Sequence, residues 1–578
     1  MKTPDGTQRR TGSAWKIICA GLCLALAGLL WLSLSISQAQ QSPDIPPPFQ
    51  PEELKKVPQT TWQLPQSPQV EGMNSTIVQV LKRCEIDFQG AFGDLVQGFV
   101  PGADYPMIFA RDTSTLQQAA SYFYPGPRLA SPVEEFLRRQ YDDTTKSDED
   151  GLAAGIGAIS AVIAPDRHID KATAVSDEET HLIHAAYVYF KTAGGEAWLQ
   201  QPLREQRIID RLNAALDWLY AHRLDPGTGL IKRAHTTDWG DVKMEPAANP
   251  TDIDPARDHW TASIYDQALT YRALIELAEM NAAAANTERA GQLQQAAEAL
   301  RQQARRLLWQ PKQGVFRTHI HLTPLQHPFD EISMVSIANA VAVRCGLADS
   351  QQARSIFNKL ERARLAAGAS KPGPAIYPPY PAGTFASPQM QPGKYQNGAL
   401  WDWWASWQVL AEFEAGNAGM GRMHLSQIAR DWAAHPGRIF EWQTISDNRG
   451  YGPADYAGAA GTAGEAVIAG LFGVNIDRHG VELKPRLGTE PGFIRAYQPS
   501  SDRYAAYRYT PQPNMLYLDY GTDGPAPVRV GLLLPPGRHV QQLTLDGNAI
   551  PYREETVGQD TYALAEVPVG IHRLAARL

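Results

Sequence analysis

Cysteine is scarce in this chain of 578 residues: there are four, Cys19, Cys23, Cys84 and Cys345. The first two lie in an N-terminal apolar run, which leaves one conceivable disulfide in the body, Cys84–Cys345, or else two buried thiols. No Cys or His spacing matches a zinc site, so no metal or other cofactor is expected. A basic field is also missing. Lys and Arg number 53 against 61 Asp and Glu, a net charge of −8, which argues against nucleic acid as a partner. Regular strand–helix alternation is absent too, and this excludes a Rossmann fold or a TIM barrel. Long apolar runs are limited to residues 17–36, which excludes a polytopic membrane protein.

That run is preceded by Lys2, Arg9, Arg10 and Lys16. Positive charge on that side predicts a signal anchor or a cleaved signal peptide, with the body outside the cytoplasm. The membrane would then be a partner through this segment. Residues 1–39 form this expected targeting unit and 40–74 a Pro/Gln-rich linker. Residues 75–474 read as helical. Ile208, Leu212, Ala215 and Leu219 follow a helical stripe, and so do Ile264, Ala268, Tyr271, Ile275 and Ala278. Ser176 to Glu179 read as a capping box. Ten to twelve such helices would bury their faces in a closed toroid. Residues 475–578 alternate in strand fashion, with a hairpin turn at Asp546-Gly547-Asn548, and predict a small antiparallel β domain.

The chain is generous in Trp (14) and Tyr (22), whose flat faces suit sugar rings as well as cores. Five loop segments between helices combine aromatics with acids. Tyr105 to Thr113 contains Arg111-Asp112, either a fork for sugar hydroxyls or a loop-anchoring ion pair. His235 to Val242 contains Asp238-Trp239-Gly240-Asp241. A carboxyl beside an indole is desolvated and favours its neutral form, as a general acid requires; plain turn chemistry or a calcium loop would also explain it. Asn397-Gly398 marks a turn before Trp401, so Asn397 and Trp401 are candidates for hydrogen bonding and stacking, with Trp404 and Trp407 at core spacing. Glu441 lies between Phe440 and Trp442, before a Gly-rich loop. Gly458, Gly461 and Gly464 give the last helix a small-residue face, where Glu465 reads as a helix residue. Glu179, His181 and His184 could be a metal pair, but a capped helix explains them as well. Glu245, Asp252 and Asp254 read as solvated charge rather than calcium ligands.

Taken in order, these segments resemble the six-hairpin glycosidases, the superfamily of trehalases, glucoamylases and α-L-rhamnosidase-type enzymes. The resemblance covers about residues 85–475. It implies a mainly α fold, an (α/α)6 toroid followed by a C-terminal β-sandwich. It implies a glycoside hydrolase acting on an oligo- or polysaccharide with inversion of configuration, through a general-acid Asp and a general-base Glu. Glu441 matches the base. Trp-Gly-Asp stands where trehalases have Gly-Trp-Asp, so Asp238 and Asp241 are not separable by pattern; Asp241 is the expected acid, with Asp238 close behind. Arg111, Asp112, Asn397, Trp401 and Trp239 match the sugar-binding positions. A glycoside phosphorylase, a membrane-tethered carbohydrate-binding protein without catalysis and a polysaccharide lyase are the alternatives.

Overall fold

The computed structural model describes residues 45–142, 154–246, 249–325, 327, 329–525 and 527–578. The apolar run at 17–36, with Cys19 and Cys23, lies outside them. No helix among the described residues is long and apolar enough to cross a membrane.

Among the described residues twelve helices of seven residues or more follow one another: α1 (Pro68–Arg83), α2 (Ala110–Ala120), α3 (Gly126–Arg138), α4 (Glu178–Tyr189), α5 (Ile208–Arg223), α6 (Ile264–Ala283), α7 (Thr287–Leu308), α8 (Ala338–Arg344), α9 (Ser350–Ala367), α10 (Asp402–Glu414), α11 (Ala418–Ala434) and α12 (Ala457–Glu465). The even-numbered helices touch in sequence, α2 on α4, α4 on α6, α6 on α8, α8 on α10 and α10 on α12, and α12 closes back onto α2. Six inner helices thus make a ring, with the odd-numbered helices outside it.

Burial patterns explain the two layers. α7 buries Ala290, Leu293, Ala297, Leu300, Ala304 and Leu308, a single stripe, and presents its charged face to water. α12 is buried on every side. It closes the ring because it is nearly all Gly and Ala. A Cβ on Gly461 would run into the backbone of Leu116 in α2, and one on Gly464 would press on Ala119.

After α12 the chain builds two sheets, one of five strands and one of six to which an earlier strand adds a seventh. Asp546 and Gly547, both at positive φ, make the expected two-residue turn, with Leu545 opposite Asn548. The sheets are antiparallel except where strand Gly480–Leu483 runs parallel to Val528–Leu533. The expected linker is not free chain throughout. Thr61–Gln63 pairs with Gly492–Gln498 as an edge strand, with Trp62 buried, so apolar burial fixes this stretch against the C-terminal sheet. Cys84 and Cys345 are two free, buried thiols, and the Cys84 Sγ donates to the Asp455 carbonyl at 3.0 Å. The capping box also dissolves. Asp177 is the N-cap of α4 but makes no capping hydrogen bond; Glu179 instead meets the buried Lys171 ammonium at 2.7 Å.

Candidate active site

The site residues stand at one end of the ring, around the starts of inner helices. Arg111 and Asp112 occupy the first turn of α2, and Asp177 and Glu178 begin α4. Trp239 and Asp241 sit in the loop leading to α6. Trp401 is the N-cap of α10 and Tyr456 that of α12. Helix N-termini favour nearby negative charge, and this end of the ring is acidic. All these residues, with Tyr105, Gln396, Trp403 and Glu441, line one cavity of ≈ 230 Å³.

Arg111 organises the acids. Its guanidinium lies 2.9 Å from Asp177 and 3.6 Å from Asp241. Gln396 fixes Asp241 from the other side: its amide nitrogen donates to Oδ1 at 2.7 Å, and its oxygen accepts from the Asp241 backbone N–H at 3.2 Å. Asp241 keeps 29% of its side chain exposed, whereas Glu441 is buried. The Tyr105 hydroxyl donates to Glu441 Oε2 at 3.3 Å. Burial, reinforced by the charges of Asp112 and Asp241, pushes the Glu441 carboxyl up to about 8. Burial likewise lifts Asp112 to about 6, against a hydrogen bond from Tyr456.

Several buried polar atoms of lining residues have no partner among the described residues: the acceptors Asp112 Oδ1 and Glu178 Oε1, and the indole N–H groups of Trp239 and Trp403. A buried polar group left unpaired costs about 1–3 kcal/mol. Acceptors and donors intermixed with aromatic rings match a polyhydroxylated ring, whose hydroxyls give and take hydrogen bonds. Trp239 and Trp401 pack edge to face, centroids 4.9 Å apart.

Of the residues singled out in the sequence, Arg111, Asp112, Trp239, Asp241, Trp401 and Glu441 meet in this cavity. Asp238 does not line it. Its backbone is at φ 88°, which turns the carboxyl inward, where Oδ1 accepts the Tyr265 N–H at the start of α6 at 3.4 Å. Burial pushes that carboxyl up to about 7. Asn397 is also turned away. Its side chain is spent on the backbone of Tyr380 and Met390, at 2.7–3.0 Å, and shapes the loop instead of meeting a ligand. Glu465 lies elsewhere, paired with Arg344 at 2.8 Å. His181 bonds Ser114 and Tyr265, and His184 meets Glu276, so the two do not form a metal pair. Glu245 pairs with His259 and Asp254 with Arg257.

Sequence reasoning missed Tyr105, Asp177, Glu178, Gln396 and Tyr456 as site residues. Asp177 and Glu178 were absorbed by helix-start chemistry. Tyr105 opens one of the segments singled out and Gln396 directly precedes Asn397, but nothing in their spacing marks them.

No family model matches the chain, and no curated protein matches it. Solved structures do. A GH78 family rhamnosidase of Bacillus sp. GL1 is 15% identical over 84% of this chain and 43% of its own, with a TM-score of 0.56. The α-L-rhamnosidase of Streptomyces avermitilis, complexed with L-rhamnose, is 13% identical over 91% of this chain and 42% of its own, TM-score 0.57. The native α-L-rhamnosidase of Aspergillus terreus is 12% identical over 90% of this chain and 50% of its own, TM-score 0.55. The chain thus spans half or less of each of these proteins' lengths. The likeness is one of fold: the helical ring with its strand-rich C-terminal region.

Proposed function

We propose that this protein is a glycoside hydrolase that admits one sugar ring into the cavity and cleaves its O-glycosidic bond with inversion. The observation that carries the reading is the meeting of Asp241 and Glu441, from loops two hundred residues apart, in one aromatic cavity with unpaired hydrogen-bonding groups. The rhamnosidase fold supports it. Asp241 protonates the departing oxygen, and Glu441 takes a proton from a water on the far face of the ring. Exposure favours this division: the leaving group departs toward solvent, where Asp241 stands, while the attacking water needs a sheltered carboxylate. Arg111, Asp112, Trp239 and Trp401 hold the sugar.

One observation favours the reverse division. In the free protein burial lifts the Glu441 carboxyl up to about 8, so at neutral pH it holds a proton. If it stays there when substrate binds, Glu441 is the acid and Asp241 the base. An activated leaving group separates the two, because it needs no acid: an aryl glycoside with a good leaving group restores turnover to the variant lacking the acid and not to the one lacking the base.

A phosphorylase and a uronate lyase fit less well. Among the described residues six carboxyl groups line the cavity, Asp112, Asp170, Asp177, Glu178, Asp241 and Glu441, and even with Glu441 protonated they outnumber the single cation Arg111, itself engaged by Asp177 and Asp241. Phosphate or a uronate would enter a field of its own sign. The carbohydrate-binding alternative keeps the cavity but not the turnover. The test is a reducing-sugar screen of the protein from residue 40 onward on α- and β-linked oligosaccharides, with NMR of the anomer first released. Hydrolysis abolished by Glu441→Gln supports the reading; sugar binding without hydrolysis, or full activity of Glu441→Gln, overturns it. The proposed place of action is outside the cytoplasm, on the charge pattern before residues 17–36, and fractionation of the full chain tests it.

A further inference from the structure

Beside the site loop, but outside the cavity, the fold collects an unusual side-chain set. The strand Trp260–Ser263 lies between Arg233–Ala234 and His319–His321 in a three-stranded sheet. His319 and His321 are alternate residues of one strand and so share a face. His235 directly follows the neighbouring strand on the other side. Glu331 opens a 3-10 turn (Glu331–Ser333) that returns over this face.

Four ligand atoms, one each from His235, His319, His321 and Glu331, lie within 4.8 Å of one another. Toward Glu331 the imidazole Nε2 atoms stand at 3.2 Å (His235), 3.1 Å (His319) and 2.7 Å (His321). Ligands about 2.0–2.1 Å from a tetrahedral zinc ion are themselves about 3.3 Å apart, so the set needs little movement to close on an ion. His235 and His319 are fully buried, and His321 and Glu331 are half-buried.

As a purely hydrogen-bonded cluster the set is poorly satisfied. Glu331 Oε1 faces three groups at once, His235, His319 and the Tyr380 hydroxyl at 3.0 Å. For all three to be donors, His235 must carry its proton on Nε2. Its Nδ1 is then a bare acceptor set against the Met244 sulfur, 3.2 Å away, itself only a weak acceptor. Coordination through Nε2 reverses this: Nδ1 bears the proton and donates to the thioether, the outer contact that a ligating histidine usually makes.

We infer that His235, His319, His321 and Glu331 form a binding site for one divalent transition-metal ion, zinc by ligand type. Three imidazoles and a carboxylate suit zinc. Four protein ligands leave no open position, so the ion is structural.

The place of the site gives it a purpose. The Met244 N–H donates to the His235 carbonyl at 3.2 Å and closes a loop that carries Asp238, Trp239 and Asp241. An ion on His235 ties the base of that loop to the strand His319–His321 and to the turn at Glu331.

The test uses untagged protein with the site intact, and its readout is metal, not hydrolysis. After purification and dialysis, elemental analysis should find about one zinc per chain. Protein stripped by a chelator and titrated with Co²⁺ should develop the visible absorption of a four-coordinate ion at one equivalent. The double variant His319→Ala/His321→Ala should lose both signals. Glu331→Gln, which keeps the side-chain shape, should weaken zinc at least about tenfold. Circular dichroism checks that each variant is folded. Folded wild type that takes up neither ion stoichiometrically, or equal binding by folded Glu331→Gln, overturns the inference.

Discussion

The Tyr105 hydroxyl gives a direct handle on the Glu441 proton in the proposed mechanism. Glu441 lies up at about 8 because it is buried beside Asp112 and Asp241, and the Tyr105 hydrogen bond, at 3.3 Å, works against that rise. At pH 7 about one molecule in ten has Glu441 ionised. If Glu441 is the base, kcat/KM, which reports the free enzyme, rises almost tenfold per pH unit up to about 8 and then levels. Tyr105→Phe removes the donor. A hydrogen bond to a charged group is worth about 1.5–3 kcal/mol at good geometry; at this length about 1 kcal/mol is reasonable, or roughly 0.7 pH units. The variant's limb should therefore move up by that amount. Its kcat/KM should fall about fivefold at pH 7 and match wild type at pH 9.5 within about twofold. The assay is initial rates against pH on any substrate found in the screen. A wild-type profile that falls through pH 8 would make Glu441 the acid, with Tyr105→Phe then extending the active range upward. A limb near 8 that Tyr105→Phe leaves in place, in either direction, refutes the reasoning, because the titrating group would not be Glu441.

Glu441→Gln should stabilise the protein while abolishing turnover. The folded carboxyl titrates about 8 against an ordinary value of 4.5, so the folded state holds an extra proton between these values and wild-type stability falls as pH rises through that window. The variant's Tm should exceed wild type by a few degrees at pH 7.5, for at most about 4 kcal/mol, and the difference should vanish at pH 4. Gly452→Ala should cost about a hundredfold or more in kcat with circular dichroism unchanged, because Gly452 is at φ 70° and its Cβ would collide with the Glu441 carboxylate; activity within a few-fold of wild type would count against Glu441. Asp241→Asn should lose about 10²–10⁴-fold on an unactivated glycoside, whereas Asp238→Asn should retain activity within about tenfold, since Asp238 serves the start of α6 and an Asn oxygen still accepts the Tyr265 N–H.

Much of the ring was legible because helix faces repeat locally. The stripe in α7 and the small residues of α12 state in their own segments which side is buried and how close a neighbour approaches. The site was legible only where acids stood beside aromatics in loops, as with Asp241 and Glu441. What spacing could not give was orientation. Asp238 and Asp241 are three residues apart, and one positive φ sends the first under α6 while the second meets Arg111. Asn397 has the composition of a sugar-binding turn, yet the carbonyls of Tyr380 and Met390 claim its amide. The histidine cluster escaped for a related reason. His319 and His321 share a face only once the strand is known, and His235, some eighty residues earlier in sequence, reaches them across an intervening strand. Each of these residues is placed by a partner from another part of the ring. A ring closed by α12 on α2 gathers the ends of inner helices at one place, so its chemistry depends on contacts between segments, and those are the contacts that local periodicity does not record.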